Sequence, residues 1–150
     1  MKKFLLLCLC SVIFLPSFAQ KIETKFVPMT VKNTLLVKVN DTVNPLWEKG
    51  KGFYTATLVK GELKGAIHIK ETGEWIETIW TIPFSAVPNK IKDHILKTFP
   101  DYKVLSTTIQ YRSDGNYYIF EIKKKKDIQT LYYNLLNEFI KAEPKTVPPK

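Results

Sequence analysis

Val27-Pro28 and Val87-Pro88 stand sixty residues apart (87 − 27 = 60), and each pair opens a segment with apolar residues four apart: Val31, Leu35 and Val39 after the first, Ile91, Ile95 and Phe99 after the second. Proline is well placed at the first turn of a helix, where its missing N–H costs no hydrogen bond. Apolar residues at that interval line one face of an α-helix. Both segments therefore read as short amphipathic helices, and Pro100 terminates the second. The first is rich in β-branched residues and, taken alone, could equally be a strand.

Downstream the interval becomes sixty-four, which places a four-residue insertion in the second helix-to-strand link. Trp47 then matches Tyr111 (111 − 47 = 64); Tyr54, Ala56 and Leu58 match Tyr118, Phe120 and Ile122; Ile67 and Ile69 match Leu131 and Tyr133. Gly73-Glu74-Trp75-Ile76 matches Asn137-Glu138-Phe139-Ile140, and Gly and Asn are the residues that most readily adopt a left-handed turn. Each unit reads as a helix followed by four antiparallel strands, the repeats covering about 26–83 and 84–142. The hairpin turns fall at Gly50-Lys51-Gly52, Lys60-Gly61, Glu71-Thr72-Gly73, Ser113-Asp114-Gly115-Asn116 and Lys124 to Asp127. The fold class is α+β, built of tandem helix plus four-stranded antiparallel sheet units; whether the two sheets are continuous stays open. One segment supports two readings. Ile128, Leu131, Tyr132, Leu135, Leu136, Phe139 and Ile140 fit a helical stripe, whereas the repeat and the Tyr-Tyr pair favour a hairpin over 127–142.

The chain has 150 residues, enough for one domain or two very small ones. Its beginning reads as a signal peptide over 1–19: Lys2 and Lys3, an apolar run from Phe4 to Leu15, then Ser17-Phe18-Ala19 before a cut at Ala19/Gln20. A lipid anchor through Cys8 or Cys10 is the other reading, but each cysteine follows Leu, where a lipobox wants a small residue. Export makes the protein periplasmic or secreted. Both cysteines leave with the leader, so the mature chain has no disulfide and no thiol nucleophile. The formal charge falls from +9 to 9 − 2 = +7. Arg112 is the lone arginine among these cations, and scattered lysine confers solubility and general attraction to anions rather than bidentate phosphate recognition. Nucleic acid is not an expected partner, and any membrane contact is peripheral. The tail over 143–150, with Pro144, Pro148 and Pro149, reads as flexible.

The residues Val27, Pro28, Trp47, Tyr54, Ala56, Leu58, Gly73, Trp75, Glu77, Thr78, Val87 and Pro88 form a pattern that resembles the PepSY-like, β-lactamase-inhibitor-like family of small exported proteins. The resemblance covers roughly Phe26 to Ala142. It implies helix-and-sheet modules like the two halves of β-lactamase inhibitor protein, and it supplies no catalytic residues to carry over. The second unit departs from the pattern, with Asn137 for Gly73 and Phe139 for Trp75. Fold likeness alone does not give function.

Chemistry-bearing residues are few. There is no G-x-S-x-G elbow and no glycine-rich phosphate loop. The two histidines, His68 in a strand and His94 in a helix, show no ligand spacing with an acid or with each other, so no metal and no cofactor is expected. Glu71, Glu74 and Glu77 lie three apart but straddle a turn and read as solvated edge charge. Lys123, Lys124, Lys125 and Lys126 form a basic patch that could steer acidic partners or lie on anionic headgroups, or simply keep a hairpin turn soluble.

Strand alternation places Tyr54, Ala56, Leu58, Ile67, Ile69, Tyr118, Phe120, Ile122, Leu131 and Tyr133 under the helices. The opposite face then carries Phe53, Thr55, Thr57, His68, Tyr117, Ile119 and Tyr132, an aromatic content that resembles an interface. The expected function is a non-catalytic binding module, with Phe53, His68, Tyr117, Ile119 and Tyr132 contacting a protein or peptide such as an envelope hydrolase. Three alternatives stand beside it: two sheets or a dimer packing through this face, a small-ligand or enzymatic cleft near His68, and basic association with the envelope surface.

Overall fold

The computed structural model describes residues 20–39, 44–61 and 63–145. The expected leader, 1–19, and residues 146–150 of the expected tail lie outside the described residues. Strand β1 (Gln20–Ile22) leads through a 3-10 turn (Thr24–Phe26) into helix α1 (Met29–Val39), followed by β2 (Leu46–Lys49), β3 (Phe53–Lys60), β4 (Leu63–Lys70) and β5 (Trp75–Thr81). A second 3-10 turn (Phe84–Ala86) opens α2 (Asn89–Thr98), followed by β6 (Lys103–Arg112), β7 (Gly115–Lys124), β8 (Asp127–Asn134) and β9 (Phe139–Pro144).

The nine strands form one antiparallel sheet in chain order, β1 to β9. The four strands after each helix join through β5 and β6, with Glu77 opposite Arg112 and Thr81 opposite Thr108. Two sheets packing face to face, one of the alternatives above, is thereby overturned within the chain. The register row Leu58–Gly65–Trp80–Ile109–Tyr118–Tyr133 crosses six strands on one face. Both helices cover that face. Val31 and Leu35 of α1 join Tyr54, Ala56, Leu58, Ile67 and Ile69 in one core, and Ile91 and Ile95 of α2 join Phe120, Ile122, Leu131 and Tyr133 in the other.

The β-branched residues of α1 do not make it a strand, because burial of Val31 and Leu35 at helical spacing outweighs the small propensity cost. The ambiguous segment 127–142 forms a hairpin. Leu131 and Tyr133, two apart, are 0% and 1% exposed, as strand alternation against the second core requires. Leu135, Leu136, Phe139 and Ile140 of the apparent helical stripe remain 42 to 74% exposed. Asn137 takes φ 64° in the turn, and Asn134 Oδ1 accepts the Leu136 and Glu138 amides. The first residues of the expected flexible tail are ordered: Glu143 and Pro144 belong to β9, and the Lys145 amide donates to Ile128 O at 2.8 Å.

Candidate functional site: the uncovered sheet face

Because side chains alternate along a strand, burying Tyr54, Ala56 and Leu58 turns Phe53, Thr55 and Thr57 to the other side. The same logic across the register assembles a second set of rows. Thr55, His68, Glu77 and Arg112 form one row, and Thr57, Ala66, Ile79, Gln110, Tyr117 and Asn134 the next. Ile119 and Tyr132 pair in a third row, between Thr108 and Lys141. All five predicted contact residues thus lie on one face, which no described helix covers.

They form two groups. On β3 and β4 the rings of Phe53 and His68 meet edge to face, 5.7 Å apart. On β7 and β8 Tyr117, Ile119 and Tyr132 cluster as direct and diagonal neighbours. Two aromatics are seated on glycines: a methyl group built on Gly50 would meet the Phe53 ring at 2.6 Å, and one on Gly115 would collide with the Tyr117 hydroxyl. The far end of each ring occupies space that any side chain on the glycine would fill.

Strands β5 and β6 bridge the groups with residues that sequence reasoning had not assigned to the face. His68 Nδ1 lies 2.7 Å from Glu77 Oε1, and Glu77 Oε2 accepts the Gln110 side-chain amide. The His68 and Glu77 side chains are 25% and 17% exposed. Glu77 is therefore not solvated edge charge. Its two neighbours in sequence do make exposed ion pairs, Glu71 with Lys49 at 3.3 Å and Glu74 with Lys70 at 2.7 Å. His68 has an acidic partner although the sequence shows no ligand spacing, because the partner comes from the opposed strand. Alternation in β5 could have placed Glu77 on this face, but its pairing with His68 needs the β4–β5 register.

Beyond Gln110 the face dips into a groove of about 470 Å³ between Arg112, Tyr117, Tyr132 and Lys141. The Arg112 guanidinium forks onto Asp114, both contacts at 3.0 Å. Lys141 Nζ lies 2.7 Å from Glu143 and 4.8 Å from the Tyr132 ring centroid. Burial, then the neighbouring Glu143 carboxylate, hold the Tyr132 phenol above its ordinary pKa, so it presents a neutral hydroxyl. Charges on the groove rim are mutually neutralised, and aromatic and hydrogen-bonding surface remains.

The lysine run is not one patch. Lys124 turns toward the α2–β6 link, 2.7 Å from Asp101, and that hydrogen bond raises its pKa. Lys123 falls on the opposite face, in register with Lys103 and Ile128, and Lys125 and Lys126 form the exposed β7–β8 turn. His94 Nδ1 lies 2.8 Å from the Tyr133 hydroxyl, with the His94 ring 5.2 Å from that of Phe139. It packs α2 onto the last hairpin. Among the described residues no three His, Cys, Asp or Glu side chains converge as a metal site would require, and no helix is long and apolar enough to cross a membrane.

No protein-family model and no curated protein matches the sequence. Solved structures do match. A BLIP-like protein from Bacteroides fragilis NCTC 9343 superposes with a TM-score of 0.72 at 10% identity, covering 81% of this chain and 89% of that one. A DUF2874 family protein from Bacteroides ovatus ATCC 8483 gives 0.68 at 12% identity, covering 78% and 86%. A candidate periplasmic protein from Bacteroides eggerthii DSM 20697 gives 0.67 at 14% identity, covering 79% and 89%. At such identities the likeness is one of architecture: the chain has an α+β, BLIP-like fold, with two helices on one face of a continuous antiparallel sheet.

Proposed function

We propose that this is an exported, non-catalytic binding protein that holds another protein in the periplasm through the uncovered sheet face. In that reading the leader is cut after Ala19, and the chain is a PepSY-like relative of the inhibitor-type proteins. The observation that carries it is the set of half-buried aromatics, Phe53 on one side and Tyr117 and Tyr132 on the other, flanking the His68–Glu77–Gln110 polar centre. Solvated sheet faces are ordinarily polar, whereas Tyr and Phe are enriched at interface centres. Rings already seated on Gly50 and Gly115 lose little side-chain freedom on binding. Internally satisfied polar groups at the centre also avoid leaving a buried charge unpaired in the complex. Inhibition of an envelope hydrolase is the specific form of this proposal.

The test is capture from the native envelope with Gln20 to Lys150 as bait, beside a Phe53→Ala, Tyr117→Ala, Tyr132→Ala variant whose unfolding midpoint shows it folded. A protein bound by the wild type, released by the variant and reconstituted from purified components supports the reading. If it is a hydrolase, its activity falls on titration with wild type and not with the variant. Identical capture by both baits, or no capture by either, overturns the proposal.

A further inference from the structure

The side of the sheet under α1 holds a cavity. Leu58 and Ile67, 3% and 1% exposed, line it together with Val39 at the end of α1 and Trp80 of β5. Its volume is about 200 Å³. Apolar cavities of about 150 Å³ admit a benzene ring. At the C-terminal end of α2, Phe99 and Tyr102 pack edge to face, 5.8 Å between centroids, and with Val104 lie against the second core. Val39 occupies the place sixty residues before Phe99 (99 − 39 = 60) and brings no ring. The Trp80 indole covers Gly65, within 2.6 Å of where a Cβ would stand, and borders the cavity from the sheet side.

The lining is polarised. Lys38 and Lys60 stand at it, both exposed, and no acidic residue is among the described lining residues. The Lys38 ammonium rests 3.8 Å over the Trp75 ring, which holds a positive charge beside the apolar floor. A pocket with an apolar interior and a few placed polar groups is the general form of a small-molecule site. We infer that this cavity binds a small amphipathic carboxylic acid, its apolar body on Leu58, Ile67 and Trp80 and its carboxylate between Lys38 and Lys60. A purely apolar ligand would gain nothing from the two cations, and an amphipathic amine would meet repulsion. The site lies on the helix-covered side, opposite the aromatic face, and does not depend on the protein-binding proposal.

The probe is octanoate, measured by calorimetry and by backbone amide shifts, beside 1-octanol and octylammonium. Octanoate is expected to bind saturably, with shifts centred on Ile67 and Trp80, and the other two to bind at least about tenfold more weakly. Val39→Phe copies Phe99 into the first unit and should weaken octanoate by at least about tenfold without lowering the unfolding midpoint. Lys38→Glu with Lys60→Glu leaves the cavity and should exchange the preference for octanoate with that for octylammonium; it decides the matter if Val39→Phe fails to fold. No saturable binding at millimolar octanoate, octanol binding as tightly as octanoate, shifts mapped away from the cavity, or full binding by a folded Val39→Phe chain would each overturn the inference.

Discussion

Glu77 on β5 is gripped from both sides of its strand: His68 on β4 reaches one carboxylate oxygen at 2.7 Å, and Gln110 on β6 donates to the other. Since β5 and β6 join the strands that follow α1 to those that follow α2, this three-strand bond is also a clasp at the middle of the sheet. Removing Glu77 leaves two half-buried partners without their acceptor, which costs about 1–3 kcal/mol. Glu77→Ala should lower stability by that amount, measured by urea unfolding. Glu77→Gln should cost less. In a cycle with His68→Ala the coupling should be about 1 kcal/mol; additive effects would show the contact to be incidental.

Gly65 and Trp80 are directly opposed across β4 and β5, and the indole covers the glycine. Gly65→Ala puts a methyl group 2.6 Å from the ring. Such overpacking costs about 1–3 kcal/mol. The variant should lose stability and shift the tryptophan emission toward the red as Trp80 moves outward. Gly65→Ala with Trp80→Leu should recover part of the loss.

Gly73 and Asn137 occupy turns sixty-four residues apart with φ of 92° and 64°. They are not interchangeable. A Cβ on Gly73 would lie 3.1 Å from Thr30 of α1, and the Gly73 carbonyl accepts the Thr34 hydroxyl at 2.5 Å. Gly73→Asn should therefore destabilise by about 1–2 kcal/mol, whereas Asn137→Gly, which keeps the turn but loses Asn packing, should change stability by about 0.5 kcal/mol or less. Thermal midpoints of the two variants should differ accordingly.

Burial pushes the Tyr133 phenol up to about 12. In the unfolded chain it ionises near 10. As pH rises the unfolded state releases this proton first, so the contribution is complete below pH 10 and is lost between about 10 and 12, reaching about 2 kcal/mol. Unfolding measured in urea across pH 9 to 11.5 should show that decline. Tyr133→Phe should flatten the curve over the same interval; an unchanged slope would assign the decline to other groups.

Much of the local structure was legible because its causes are local. Four-residue spacing after Val27-Pro28 and Val87-Pro88 defined two helices, and two-residue alternation in Tyr54–Leu58 and Tyr118–Ile122 separated the buried side from the uncovered one. Positive-φ turns announced themselves as Gly73 and Asn137. The five aromatic, histidine and isoleucine positions on the uncovered face followed from the same alternation.

Other features were decided only by contacts distant in sequence. The segment 127–142 satisfies both a helical and a strand period. Pairing of Leu131 with Phe120 on β7 settles it, by placing Leu131 and Tyr133 on the second core. Continuity of the sheet rests on the β5–β6 register, and the partners of Glu77 come from nine residues before it and thirty-three after it. Register between strands depends on the hydrophobic match of whole faces and on turn geometry, so it cannot be read from either strand alone. The cavity beside Trp80 takes shape only once α1 is laid on the sheet and brings Val39 beside Leu58 and Ile67. Sequence periodicity determined which side chains share a face; tertiary packing decided which of them meet.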